Sequence, residues 1–177
     1  MTHITRCDMI TLIIGVTPLN IFILSHDMDE SVRFQVKKHC TKMPLESAQL
    51  LSTCHHVLES KYADVLYRKT HANHPCGIWL RESKSNYEWL FNFLLKQFEE
   101  FRYRRGKPHA SEKLLDVLSN NPVKDEQGLT PFALCMPDQY KTDCAVESYR
   151  DFYNHEKRHL FEWDGGRVKP DWIIKNS

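Results

Sequence analysis

The chain has 177 residues, 41% hydrophobic and 27% charged, which suits one domain with a real core and is too short for two. A formal net charge of +1 excludes the global basic field of a non-specific nucleic-acid binder, so any such contact must come from a local patch. The six cysteines (Cys7, Cys40, Cys54, Cys76, Cys135, Cys144) are scattered without a C-x-x-C pair, which excludes a dense disulfide framework and reads as reduced thiols in a cytosol.

In chain order, the first feature is the most apolar run, MITLIIGVTPLNIFIL, residues 9–24. A bilayer span takes about 20 apolar residues. Pro18 and Asn20 interrupt this run and no small-residue cleavage site follows it, so a membrane role is disfavoured. LNIFIL, residues 19–24, reads as a short buried segment with strand character, and residues 1–18 as an extension to the domain. A helix from Val32 to about Leu58 comes next, with Pro44 either kinking it or opening a new helix at its first position.

THANHPCGIW, residues 70–79, forms a loop leading into the clearest helix, SNYEWLFNFLLKQFEEFRYRRGKP, residues 85–108. Ser85 and Glu88 make a capping box, and Leu90, Phe93, Leu94, Phe98 and Phe101 make an apolar stripe. Arg102, Arg104 and Arg105 occupy the last turn, Gly106 ends it and Pro108 prevents its resumption. Residues 119–143 are an irregular connection, and a third helix runs from about Ala145 to Trp163, stopping at Gly165-Gly166. With six glycines, eight prolines and mostly helical apolar spacing, the expectation is a mainly α fold. It is a single-domain helical bundle over residues 19–177, with a short N-terminal extended segment and long irregular loops.

Four constellations carry chemistry. His155-Glu156-x-x-His159 has the spacing of a zinc-hydrolase helix, but no third ligand pattern follows it. Glu156 lies near the middle of the apolar face set by Tyr149, Phe152, Tyr153, Leu160 and Trp163, so it should point inward and need a partner such as Lys42 or an arginine. The histidines fall towards the edge of that face. Secondly, if the helix continues through Pro44, then His39, Lys42, Glu46, Gln49 and Thr53 share a narrow arc, which is either a site or a solvated face.

Thirdly, Arg102, Arg104, Arg105, Lys107 and His109 gather in one place, as a helix terminus or as a phosphate-binding surface. Fourthly, the loop offers His71, Asn73, His74 and Trp79. Zinc through His71-x-x-His74-x-Cys76 resembles no standard four-ligand pattern and has no evident second ligand pair. The absence of a Gly-rich phosphate loop, a nucleophile elbow and a dinucleotide fingerprint disfavours those nucleotide-cofactor chemistries, and neither a cofactor nor a resident metal is expected.

The runs at residues 19–58, THANHPCGIWLRESKSNYEWL, RYRRGK, MPDQY and ESYRDFYNHEK resemble a family of small bacteriophage proteins over most of residues 19–172. That likeness implies a native start at the codon of Leu19. A more distant likeness is to the phage pyrimidine-dimer DNA glycosylases of the endonuclease V type, small all-helical proteins. Their catalytic glutamate follows a histidine by seven residues, as Glu46 follows His39, although Pro44 here precedes the glutamate instead of following it.

The resemblance implies that Glu46 is the catalytic carboxylate, that His39 orients, and that an amine attacks. Those glycosylases use an N-terminal α-amine, which the extension would block, so Lys42 is the substitute amine or a phosphate contact. Arg102, Arg104, Arg105, Lys107, His71, Asn73, His74, Trp79 and Tyr87 would bind nucleic acid, with Trp79, Tyr87 or Tyr103 stacking on an extruded base. The expected protein is thus a phage protein of the infected host's cytoplasm that acts on nucleic acid, DNA foremost, as a glycosylase/lyase-like or base-modifying enzyme. The rivals are a non-enzymatic accessory protein that binds a host protein or a nucleotide and, third, a zinc-dependent hydrolase through His155, Glu156 and His159.

Overall fold

The computed structural model describes residues 19–174, and the expectations for residues 1–18 lie outside them. Residues 19–24 enter as an extended chain whose side chains are all buried. No strand lies beside this segment among the described residues, so side chains satisfy its backbone. The Leu24 N–H donates to Ser31 Oγ at 2.9 Å, Arg150 Nε donates to the Leu24 carbonyl at 2.8 Å, and the Ile21 N–H donates to Asn20 Oδ1 at 2.8 Å. The segment is buried as its composition requires, but it is not a paired strand.

The described residues form six α-helices and no strand, a mainly α single-domain fold. Helix α1, Met28–Phe34, starts at Asp27, whose carboxylate accepts the Glu30 N–H at 2.7 Å. The chain then breaks at Gln35 and Val36, both extended, before α2, Lys37–Val57. Two helices therefore stand where the apolar spacing predicts one. Helix α2 continues through Pro44, which removes one ladder hydrogen bond without ending the helix.

Helix α3, Pro75–Glu82, and α4, Lys84–Arg105, are separated only by Ser83. Its Oγ accepts from the N–H groups of Ser85 at 3.0 Å and Asn86 at 3.4 Å, so the cap of the long helix is Ser83, two residues before the predicted Ser85. At the other end Gly106 adopts φ +66° and ends α4 as expected. After the short α5, Leu115–Leu118, the connection is irregular but anchored at the α3–α4 junction. Ser83 Oγ donates to the Gln127 carbonyl at 2.7 Å, and Asn86 Nδ2 donates to Thr130 Oγ1 at 2.7 Å.

Helix α6, Ala145–Glu156, stops short of the predicted Trp163. Residues beyond it turn back so that Trp163 Nε1 can donate to the Phe34 carbonyl at 3.0 Å, a tertiary bond that sequence spacing does not reveal. Helices α2 and α4 pack along each other, α3 lies against both, and Phe22 stacks among His39, Tyr149, Phe152 and Tyr153 where α6 closes the other side. No helix of the described residues is long and apolar enough to cross a membrane.

A buried ion network fixes α4 to α1. The Arg104 side chain has no exposed area, and its Nε donates to Glu100 Oε1 at 2.6 Å. Its other nitrogens donate to the carbonyls of Gln35 and Arg33, both at 2.9 Å, at the open C-terminal end of α1. Glu100 also accepts from Arg167 at 2.9 and 2.8 Å. Burial works against the Glu100 carboxylate, but the two guanidinium partners overcome it and hold the group below the usual range. Gly165, at φ +62°, lies so close to Arg104 that an added Cβ would sit 3.1 Å from its Cα.

Removing one member of such a network leaves an uncompensated buried charge. Glu100→Ala is expected to cost about 3–5 kcal/mol, read from urea midpoints, and a Glu100→Leu/Arg104→Met double variant should recover much of it. A loss below about 1 kcal/mol for the single variant would show that the network does not carry this load.

Candidate active site

The arc His39, Lys42 and Glu46 on α2 faces a cleft of about 310 Å³. Asn20 and Phe22 come from the extended segment, Lys38 from α2, Phe152 from α6, and Lys157, His159 and Leu160 from the turn that follows it. His39 and Glu46 are buried and Lys42 is partly exposed, so the stripe is not a solvated face. Gln49 and Thr53 do not line the cleft, and Thr53 Oγ1 instead donates to the Thr70 carbonyl at 3.0 Å.

Glu46 is the centre of the floor. Lys42 Nζ lies 2.6 Å from Oε1, one helical turn away, and the Asn20 backbone N–H donates to Oε2 at 3.3 Å. Burial pushes the Glu46 carboxyl up, against the opposing pull of Lys42, the Asn20 N–H and His74. A carboxyl balanced in this way suits proton transfer.

His39 is a neutral wall of the cleft. Burial, reinforced by Lys157, Lys42 and Lys38, lowers its pKa to about 3. Tyr153 Oη lies 2.6 Å from His39 Nδ1 and accepts the Val36 N–H at 3.3 Å, an arrangement in which the tyrosine proton can go to Nδ1 and leave the ring proton on Nε2. Phe22 stacks on the imidazole at 4.4 Å.

Lys157 is a functional candidate that sequence spacing missed. Burial, together with the neighbouring Lys42, holds its ammonium below the ordinary lysine range despite Glu156 and Glu46, and Nζ lies 4.9 Å from the Phe152 ring centre. With exposed Lys38, it makes the mouth cationic above an acidic floor, and exposed His159 lines the same cleft. The only sequence signal was its position inside the HExxH-like stretch.

Several expected site residues are elsewhere. Arg104 is enclosed by its network and Arg105 pairs with Asp164 while reaching the Lys37 carbonyl at 3.2 Å, so neither forms a free phosphate surface. Arg102 is exposed but paired with Glu112, and Lys107 is exposed beyond the helix end; neither lines the cleft. Trp79 is buried against Phe132 and Trp89, and Tyr87 is buried with its hydroxyl donating to the Leu118 carbonyl at 2.7 Å, so neither can stack on a base. His74 is buried at the N-cap of α3, half-buried His71 contacts Thr70 Oγ1, and exposed Asn73 lies outside the cleft.

The HExxH stretch is not a zinc helix. Helix α6 ends at Glu156, His159 sits on the following 3₁₀ turn, and His155 pairs with Asp151 at 3.2 Å. Glu156 is exposed and accepts from Tyr140 Oη at 2.7 Å, so it needs no cationic partner; the predicted inward aim fails because the chain turns away at this point.

A larger hollow of about 770 Å³ lies between Ile23, Trp89, Phe132, Leu134 and Val146. It is wider and mostly apolar, with His26, Asp143 and Cys144 as its titratable lining, whereas the smaller cleft gathers convergent acid, amine and imidazole groups. No protein-family model, no curated protein and no solved structure matches the chain.

The neutral buried histidines set the acid limit of the fold. His39 titrates near 6.5 unfolded and about 3 folded, and His55, bonded to Tyr87 Oη at 2.9 Å, is likewise lowered by burial to about 4. Below pH 6.5 the unfolded chain binds more protons, so this stability is complete above pH 6.5 and is lost as pH falls towards 3. Each histidine is expected to contribute up to about 1.4 kcal/mol per pH unit inside its window. Urea midpoints measured from pH 7.5 down to 4, chosen to bracket roughly that range, should fall steadily, and His39→Phe should flatten the slope. An unchanged slope in that variant would contradict a neutral His39.

Proposed function

We propose that the Glu46 cleft is the active site of an enzyme that acts on nucleic acid by breaking a base's N-glycosidic bond. The observation that carries this reading is a buried carboxylate held between an amine and a backbone N–H, at the floor of a cleft with a cationic mouth. Its volume, about 310 Å³, suits one extruded nucleoside, with Phe22 and Phe152 as apolar walls.

In this mechanism Glu46 stabilises the sugar cation or moves protons as the base leaves C1′. Lys157 supplies the amine: burial holds its ammonium below the ordinary lysine range, and once it has given up its proton the free amine can add to C1′, whereas Lys42 is tied to Glu46 and neutralises it or contacts phosphate. The amine adduct opens the sugar ring to an imine on C1′, which borohydride reduces to a stable covalent bond. His39 donates from Nε2 and orients the sugar. Lys38 and His159 contact the flanking phosphates, the role sequence spacing gives to the arginines.

The distant glycosylase resemblance adds a second observation. The Asn20 backbone nitrogen stands 3.3 Å from Glu46 Oε2, where an N-terminal α-amine would be wanted. With residues ahead of it that nitrogen is an amide and cannot attack. In a chain trimmed to begin at Asn20 it would be an amine. The non-enzymatic reading, a phage accessory protein that binds a host protein, rests on the larger apolar hollow.

The test uses duplex DNA carrying pyrimidine dimers or abasic sites, incubated with the full chain and borohydride. A trapped protein–DNA species is expected, reduced at least about 100-fold in Glu46→Gln and lost in Lys157→Ala, with far-UV circular dichroism unchanged. Trapping that survives Lys157→Ala but disappears in Lys42→Ala reassigns the amine. Trapping seen only in the Asn20-start chain assigns it to the α-amine. Full activity of Glu46→Gln sinks the site.

A further inference from the structure

Outside the cleft, three soft ligands converge. His74 is the N-cap of α3, Cys76 lies in its first turn, and Cys135 lies on the connection before α6. One ligand atom from each falls within 4.8 Å of the others, all three residues are buried, and the two sulfurs are 3.2 Å apart. None of the three lines the Glu46 cleft.

The approach is built by the fold. Pro75 at the first helical position directs Cys76 into the first turn; the Cys76 N–H donates to His74 Nδ1 across a long 3.3 Å, a weak bond that a neutral imidazole gives up when either ring nitrogen ligates a metal. The Cys135 carbonyl accepts Asn20 Nδ2 at 3.0 Å, which holds that cysteine from the opposite side. Two thiols and an imidazole are thereby brought together in the interior from positions 59 residues apart in the case of the sulfurs.

We propose that His74, Cys76 and Cys135 bind a divalent zinc-type ion. Tetrahedral zinc, at about 2.3 Å from sulfur and about 2.0–2.1 Å from nitrogen, sets its ligand atoms roughly 3.5–3.8 Å apart, so the sulfurs, 3.2 Å apart, need to separate by about half an ångström. Charge favours the same ion. Zinc with two thiolates and a neutral imidazole has no net charge, so the loaded site can stay buried, and binding releases the two thiol protons. Sulfur and imidazole select zinc over magnesium or calcium, which require oxygen ligands. The three side chains leave the fourth tetrahedral position for a water molecule, the open Cys₂His pattern. Bound there, the ion clips the connection onto the start of α3.

The experiment uses the reduced, metal-free full chain titrated with Co²⁺, alongside elemental analysis of chain purified without chelator. One equivalent of zinc is expected as purified. Co²⁺ should give a thiolate-to-cobalt charge-transfer band and the visible bands of a tetrahedral ion, and zinc should displace it. Cys76→Ser and Cys135→Ser should each abolish the charge-transfer band or weaken it at least about tenfold, while Cys144→Ser and Cys7→Ser leave it intact. A reduced wild-type chain that gives no band overturns the proposal without depending on any variant's folding. A band that persists in both Cys76→Ser and Cys135→Ser overturns the assignment to these residues. Trapping on abasic DNA is read separately and does not enter this result.

Discussion

One buried asparagine ties together the parts on which the site depends. Asn20 donates its backbone N–H to Glu46 on α2 and its side-chain Nδ2 to the Cys135 carbonyl on the long connection. Its Oδ1 accepts from Tyr149 on α6 and from the Ile21 N–H. Four segments thus meet at a residue that is only 3% exposed. A buried amide is stable only when its polar atoms are matched, so the arrangement admits little movement of Glu46 relative to α6. Among the described residues the extended segment has no neighbouring strand, and this side-chain matching lets it lie in the interior.

The helices were readable where local chemistry decides them. Gly106, the arginines before it and the apolar stripe from Leu90 to Phe101 fix α4, and the arc His39–Lys42–Glu46 needed only 3.6-residue periodicity once Pro44 was allowed inside the helix. Local signals failed where a distant partner wins. Ser83, not Ser85, caps α4 because its hydroxyl also reaches the Gln127 and Gly128 carbonyls. Helix α6 ends early because Trp163 is drawn back to Phe34, and that turn carries Glu156 out to solvent and His159 into the cleft.

The cleft was legible only along α2. Lys157, Phe22 and Phe152 reach it from elements more than a hundred residues apart in sequence for the pair Phe22 and Phe152. No spacing rule connects them. Cys135 is invisible from His74 and Cys76 for the same reason, since the second half of a ligand set that closes through a long loop leaves no local pattern. The loop histidine that spacing put forward, His71, is turned away by a left-handed backbone and contacts Thr70 instead.

Charge explains how a chain of net +1 can still present a cationic mouth. The conspicuous basic cluster at the end of α4 is neutralised in place, with Glu100 and Asp164 against Arg104, Asp164 against Arg105 and Glu112 against Arg102. Among the described residues Lys38 and Lys157 form no ion pair, and both line the cleft. Glu46 and Glu156 act on Lys157 without pairing with it, so part of the lysines' field stays directed outward, and low-dielectric walls such as Phe152 and Leu160 concentrate it at the opening. The residues that stand out in the sequence by their density therefore hold helices together, while the sparser lysines, separated by more than a hundred positions, set the potential at the cleft opening.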